Sequence, residues 1–459
     1  MMRRIIGICM MLLIGWSLFA ISLDESIALA KAGNRELLQA KEDIFKADAT
    51  YKDVRGNLLP QLSLQGAYTL STTHLPDSAI PPAFDFTSGL DATASDNDEY
   101  LAGALNGLMS SFIPAKTQRE GSLAMQLKFQ QVLFLGGKLI NGIKAVDRYR
   151  SIQNLIYQVK ERELIVSTTE LFYQCLLAEK LAQVQQDALD TASRHLQRVE
   201  NLNTEGLISE FDLMRARLEV AKLRPQVISS RNNYNLALEA FRRQIGTDDD
   251  SIVPTGEFGV PADSDISETE ALENALNSRL ELRLASINTE VNQIKYNAER
   301  GNYLPNVALS ADYSLYTVAD EFAIERDDFG TQYSIGIGFQ IPLFTGLSNT
   351  SKRAVAYHSY RQAQLQERDY RDLIELEVKQ NHQSLISARE NLAVQNENIR
   401  MAERNLELAQ YRFDNQVGIQ LEVFDAQVTR SAIQLEYFNA IYQLVMANLK
   451  LKKSMGFEL

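Results

Sequence analysis

Among the 459 residues, the side chains with the strongest claim to metal or redox chemistry are four histidines, His74, His195, His358 and His382, and two cysteines, Cys9 and Cys175. Zinc sites take their ligands in pairs a few positions apart, so that one turn or one helix face presents two of them at once. No histidine or cysteine here has a second at such a spacing, and no metal is expected. Nucleotide chemistry needs a glycine-rich loop between strand and helix that ends in a phosphate-reaching lysine, and acyl transfer needs a serine on a Gly-x-Ser-x-Gly turn. Neither pattern occurs, so neither an enzyme nor a cofactor is expected. What remains is charge. The chain carries 59 acidic against 46 basic residues, a formal net charge of −13. Without a basic footprint it is no nucleic-acid binder, and an acidic wall favours cations.

The elements that position these charges come in duplicate. Residues 21 to 70 recur 245 positions later, pairing Ser22, Glu25, Ala30, Glu36, Leu37, Ala40 and Tyr51 with Ser267, Glu270, Ala275, Glu281, Leu282, Ala285 and Tyr296. The same register sets Arg55-Gly56-Asn57-x-Leu59-Pro60 against Arg300-Gly301-Asn302-x-Leu304-Pro305. The match resumes at an offset of 210, where Phe129-Gln130-x-x-Leu133-Phe134-x-Gly136 meets Phe339-Gln340-x-x-Leu343-Phe344-x-Gly346, which places a 35-residue excess in the first connecting loop. One structural unit is used twice about a pseudo-symmetry axis.

Within each unit the apolar period switches from helical to two. Leu62, Leu64, Tyr68 and Leu70 alternate with Gln61, Ser63, Gln65 and Thr69, and Val307, Leu309, Tyr313 and Leu315 with Asn306, Ser310, Asp312 and Ser314. The returning segments Leu123 to Phe129 and Tyr333 to Ile341 alternate likewise, which predicts β-hairpins over 61–135 and 306–344. Strands with one apolar and one polar face, about ten residues long, suit an outer membrane crossed at a tilt. Four strands do not close a barrel, and an open edge in hydrocarbon leaves backbone groups unpaired. The sheet therefore either stays in water or needs further copies of the chain. The loop from Ser71 to Gln118, rich in Pro, Asp and Ser, reads as solvated and outside the cell.

After each hairpin comes a proline-free helical stretch, Lys138 to Asn203 and Leu347 to Gln416, on the order of 100 Å long at 1.5 Å per residue. Four-three stripes run through both: Leu164, Thr168, Leu171, Cys175, Ala178, Ala182, Gln185, Leu189, Ala192, Leu196 and Val199 in the first, Leu385, Ala388, Leu392, Gln395, Ile399, Ala402, Leu406, Ala409 and Phe413 in the second. Cys175 is one knob in such a seam. Each long helix stops near a glycine and a shorter one returns, giving helical hairpins over 138–246, with a tip near 204–210, and 347–456, with a tip near 415–421. Pro225 must bend the first return helix or sit where its missing N–H is tolerated. Residues 247–266, with Asp248-Asp249-Asp250, Pro254 and Pro261, read as the linker between a first repeat over 21–246 and a second over 267–459. Arg3-Arg4 before an apolar run has the layout of a signal peptide over 1–20, cleaved after Ala20 or Ser22. Ala20 is preferred because Ser22 and Glu25 form a capping box that Ser267 and Glu270 repeat. Removing it takes Cys9 and leaves Cys175 without an intramolecular partner.

The order of signal peptide, helix, strand hairpin, long helix, tip and return helix, followed by the whole series again, resembles the TolC-like outer-membrane efflux protein family over essentially the full mature chain. The resemblance rests on the Gly-Asn-x-Leu-Pro and Leu-Phe-x-Gly joints and on two tips, Gly206-Leu207-Ile208-Ser209-Glu210-Phe211-Asp212 and Leu421-Glu422-Val423-Phe424-Asp425-Ala426. It implies a mainly α protein with membrane β: long antiparallel coiled coils forming a periplasmic tunnel, and four strands per chain in a 12-stranded barrel of a homotrimer in the outer membrane. By the same resemblance the protein is a passive exit duct that docks on a periplasmic adaptor and an inner-membrane pump or type I secretion ATPase. Glu422 and Asp425 match the carboxylates that ring the narrowest point, where repulsion among copies favours a bound cation and makes opening sensitive to pH and salt. Asp212 matches the first-tip aspartate of a lock between coiled coils. The family's Tyr and Arg positions hold Phe413 and Gly418, with Tyr411 and Arg412 close enough in sequence to substitute. Gly206, Leu207, Ile208 and Ser209, with Gly418 and Ile419, match tips that contact the adaptor. A soluble periplasmic coiled-coil adaptor or a structural scaffold is the competing reading; it would account for the helices but not for two apolar-faced hairpins.

Overall fold

A computed structural model describes residues 19–76, 85–90, 94–113, 117–259, 266–320, 327, 329–415 and 417–456. The predicted signal peptide lies outside these residues except for Phe19 and Ala20, which belong to strand β1 (Phe19–Ile21) and pair in parallel with Ile252 and Val253 of β4 (Ile252–Pro254). The chain divides into two compact units, residues 1–51, 144–294 and 355–459 in one and 52–143 and 295–354 in the other.

The second unit is built on a four-stranded antiparallel sheet in the order β2-β3-β5-β6, made of β2 (Gln61–His74), β3 (Thr117–Leu135), β5 (Asn306–Asp320) and β6 (Gly330–Gln340). Directly opposed residues share a face, so the register decides what each face presents. One face carries the rows Leu64, Leu127, Tyr313, Tyr333 and Leu62, Phe129, Ala311, Ile335; the other carries Ser63, Lys128, Asp312, Ser334 and Gln65, Gln126, Ser314, Gln332. The apolar face lies open, with Tyr333 81% and Ile335 77% exposed. Lys128 stands opposite Asp312, which also accepts from Gln126 at 3.3 Å. Strands β2 and β6 are the free edges of the sheet.

The duplicated glycine motifs are explained where they meet. Gly136, with φ of 61°, ends β3, and a Cβ added there would stand 2.2 Å from the carbonyl oxygen of Gly301. A Cβ on Gly301 would stand 2.4 Å from the carbonyl of Gly136, so the strand-to-helix joint of the first repeat and the helix-to-strand joint of the second touch backbone to backbone. The corresponding pair is Gly346, with φ of 60°, and Gly56; neither has a neighbouring atom within 4 Å of such a Cβ. Leu347 occupies a left-handed conformation, φ 65°, where the first repeat has Gly137.

Between β2 and β3 the expected solvated loop contains a helix, α3 (Asp96–Ser110). Its acidic start, read in the sequence as a charge run, is a helix N-terminus: Ser95 and Asp98 form a capping box, and Asp96, Asp98 and Glu99 meet the positive end of the dipole.

The helical unit holds α1 (Leu23–Gly33), most of α2 (Arg35–Gly56), most of α4 (Lys138–Thr204), α5 (Glu210–Ile245), α6 (Glu268–Ser278), most of α7 (Leu280–Glu299), most of α8 (Ser348–Asp414) and α9 (Gln420–Ser454). Ser22 opens α1 with the predicted capping box, its Oγ accepting from the Glu25 N–H and its own N–H donating to the Glu25 carboxylate at 2.9 Å. Ser267 caps α6 through the Glu270 N–H at 3.2 Å. Pro225 sits inside α5 without ending it, on an exposed face of the helix.

Each repeat has a core of its own. Ala30, Leu37, Leu164, Phe172, Cys175, Leu176, Phe241 and Ile245 form one; Ala275, Ile374, Val378, Leu385, Leu444, Leu451 and Met455 belong to the other. The repeat partners Ala30 and Ala275 are both buried. The apolar stripe of α8 is buried at Leu385, Ala388, Leu392, Ile399, Ala402 and Ala409. In α4 the buried line toward the tip runs through Val184, Ala188, Ala192, His195 and Val199; Ala192 and Val199 lie on the expected stripe, and the half-buried Leu196 packs against Val199 while His195 beside it is buried as well.

Candidate functional site

The distal ends of the two helical hairpins gather most of the residues singled out in the sequence. At the first tip α4 ends at Thr204 and the chain turns on Gly206, φ 74°, with the Leu207 N–H donating to the Leu202 carbonyl at 2.9 Å. A left-handed residue closing a helix is the conformation a Cβ resists. Ser209 caps α5, accepting from the Asp212 N–H at 3.2 Å and donating its hydroxyl to the Asp212 carboxylate at 2.6 Å. Ile208 packs inward against Val199, Ala216 and Phe424, whereas Leu207 is 63% exposed.

At the second tip α8 ends at Asp414, and the N–H groups of Val417 and Gly418 both donate to the Arg412 carbonyl at 3.0 Å. Gly418 is required by space: a Cβ there would be 2.9 Å from the Arg412 Cβ and 3.0 Å from a Glu422 carboxylate oxygen. Ile419 precedes α9 with an exposed side chain, and the Glu422 N–H donates to its carbonyl at 3.1 Å. Arg412 Nε lies 3.3 Å from Glu422, pairing across its own hairpin. Asp425 lies one turn further along α9, beside Phe424.

The lock residues are not drawn together. The Asp212 carboxylate is engaged by Ser209, Arg412 by Glu422, and Tyr411 is 67% exposed. The two hairpins are tied by residues that the sequence reading left out. Arg198 Nη1 reaches Asp414 at 2.6 Å, the Gln420 amide donates to the Asp212 carbonyl at 3.5 Å, and the buried Gln427 amide donates to the Ala188 carbonyl at 3.0 Å. His195 lies between the rings of Phe413 and Phe424, with centroids at 5.4 Å and 4.9 Å. A signal for these contacts was present: His195 stands three residues after Ala192 and four before Val199, at a seam position. Among the described residues, no three His, Cys, Asp or Glu side chains come together as metal ligands within one chain. Cys175 is fully buried, and burial pushes its thiol up to about 12, against a smaller opposing pull from Arg242.

A sheet with an open apolar face and free edges, and paired helical hairpins whose tips carry hydrogen bonds, ion pairs and carboxylates, fit the class of outer-membrane export channels. The outer membrane efflux protein model matches residues 26–247 and 271–457, and the chain belongs to that family. It is 22% identical over 433 residues to the outer membrane protein TolC of Salmonella enteritidis, covering 93% of this chain and 80% of that protein. Its fold is similar to the Campylobacter jejuni CmeC outer membrane channel, with a TM-score of 0.74, 16% identity, and 95% of this chain and 85% of that one covered. The Vibrio cholerae outer membrane protein VceC aligns with a TM-score of 0.69 at 15% identity, covering 95% of this chain and 96% of the other. The protein is thus an efflux duct of the outer membrane with the TolC-like fold.

Proposed function

We propose that three copies of this chain close into one passive conduit, a 12-stranded barrel continued by a helical periplasmic tunnel, which receives cargo from an adaptor and an inner-membrane pump or type I secretion ATPase. The observation that carries this is the half-used joint. Within one chain Gly136 and Gly301 interlock where β3 passes into α4 beside the entry to β5, yet their repeat equivalents Gly346 and Gly56 flank the two free edges with nothing against them. A second copy supplies the missing halves of both: β6 of one chain pairs with β2 of the next as β3 pairs with β5, and Gly346 meets Gly56. An unpaired edge in lipid costs several kcal/mol per group, so closure is strongly favoured.

Open apolar side chains on α8, among them Leu365 and Leu376, and on α2, among them Leu38 and Phe45, support the same arrangement. In this reading Glu422 and Asp425 ring the inner constriction, and the exposed Leu207 and Ile419 with Gly206, Ile208, Ser209 and Gly418 shape the adaptor-facing tips. Asp212 acts at the tip as the partner of the Ser209 cap, with the Arg198–Asp414 and Arg412–Glu422 pairs taking the part expected of Tyr411 and Arg412. Native mass measurement of membrane-extracted protein in detergent tests the proposal: three chains per particle are expected, and a water-soluble monomer would favour a periplasmic adaptor or scaffold.

A further inference from the structure

We propose that His195 is the positioning residue of the closed tip, a neutral imidazole wedged between Phe413 of α8 and Phe424 of α9 that holds the second hairpin against α4 and lets it go when protonated. The proposal rests on the duct reading and adds to it a proton-operated contact.

The geometry is that of a wedge. His195 is 9% exposed, and the Phe424 ring stands nearly perpendicular to it, at 80°. Phe424 belongs to the core of the first hairpin's tip with Val199 and Ala216, whereas its neighbours Val423 and Ala426 pack on Ala409 of α8. The start of α9 is therefore held on two sides, and swinging the second hairpin away requires Phe424 to leave His195. The imidazole Nε2 is buried with no hydrogen-bond partner, which a neutral ring tolerates as an unused lone pair. An imidazolium carries a proton on both nitrogens and would bury an unpaired charged donor against two phenyl rings, at a large desolvation cost.

The surrounding charges do not relieve this. From α4 comes Arg198, which opposes protonation, and from α8 comes Asp414, which favours it but is paired with Arg198 at 2.6 Å. Also on α8 and α9, Arg412 and Glu422 pair with each other, and Asp425 adjoins Phe424. Among the charged residues near the start of α5, Asp212 is bonded to Ser209, Arg217 pairs with Glu200 of α4, and Arg215 lies between them in sequence. Burial, followed by the Arg198 charge, lowers the His195 pKa from 6.5 to about 4.

The sign follows from that direction. Above pH 6.5 the imidazole is neutral whether the tip is closed or released, and the wedge contributes fully. Between 6.5 and about 4 only the released tip takes up the proton, so the closed-to-open ratio falls by up to tenfold per pH unit. Below that window both states are protonated and the ratio changes no further. Mild acid on the periplasmic side is thus an opening signal carried by a side chain outside the carboxylate ring.

The test is single-channel recording of the full-length protein in planar bilayers from pH 7.5 to 4, comparing wild type with His195→Phe and His195→Gln. The expected result is a wild-type open probability that climbs through the window. His195→Phe keeps the ring packing and loses the climb, and His195→Gln opens more readily than wild type at pH 7.5 without it. A His195→Phe profile that superimposes on wild type would overturn the proposal and leave the pH response to Glu422 and Asp425. Absence of current in every variant counts against the duct reading instead. The tip is then read by hydrogen exchange of residues 420–428 at pH 7 and 5: protection lost at pH 5 in wild type but kept in His195→Phe supports the wedge, and equal protection ends it.

Discussion

Arg198 of α4 and Asp414 at the end of α8 form an ion pair at 2.6 Å between hairpins 216 positions apart in sequence. About half of each side chain is exposed, so the pair is worth about 0.2–1 kcal/mol and is screened by salt. Replacing Asp414 with Asn should raise the open probability of reconstituted channels by at most about fivefold at low salt, with little change at high salt. A double-mutant cycle with Arg198→Ala isolates the coupling; an effect that persists in molar salt would mean the pair acts through packing.

The Arg412–Glu422 pair makes Glu422 and Asp425, the two carboxylates proposed for the constriction, unequal. Asp425→Ala should relieve block by divalent cations more than Glu422→Ala does, because the arginine already offsets the charge of Glu422. Arg412→Ala should deepen the block. Conductance and block measured for the three variants check this order, and unchanged block in the Glu422→Ala/Asp425→Ala double variant would remove both carboxylates from the constriction.

Leu347 sits at φ 65°, a conformation that costs a residue with a Cβ about 1 kcal/mol or more. Leu347→Gly should therefore raise the thermal midpoint of the assembled protein, and Gly136→Ala should lower it sharply, since the added methyl would collide with the Gly301 carbonyl. The midpoint is read as loss of the heat-stable assembly on gels, and a neutral Gly136→Ala would deny the interlock.

Cys175, fully buried with its thiol pushed up to about 12, should resist maleimide in the native protein at pH 8 and react fully once unfolded. Native labelling would place it outside the seam.

The duplicated order of elements was legible in residue spacing because strand and helix periods differ and the joints recur at fixed offsets. The faces of β2 and β5 follow directly from Leu64 and Leu309 alternating with Gln65 and Ser310. The helix Asp96–Ser110 escaped notice because its acidic first turn, which stabilises a helix start, looks in sequence like a solvated charge run. The tip contacts were illegible for a different reason. Arg198 meeting Asp414, or His195 meeting Phe424, depends on how two hairpins more than 200 residues apart are rotated against each other, and a four-three pattern fixes that rotation only to within a residue or so. The stripe read from spacing ran through Leu196, which does pack on the tip core, and the packing of the hairpins buries His195 beside it as well.

The central claim is that one chain's β6 edge joins the next chain's β2 edge in the register that β3 and β5 already use. Gln130 opposes Ser310 within the chain, and the repeat offsets of 210 and 245 carry that pair to Gln340 and Gln65. Opposed residues lie about 4.5–5.5 Å apart at Cα, within disulfide reach. Oxidising membranes that contain the Gln65→Cys/Gln340→Cys variant should link chains up to a covalent trimer on non-reducing gels, with neither single variant doing so. A product that stays a monomer, whether with free thiols or with a bridge inside one chain, would contradict the account.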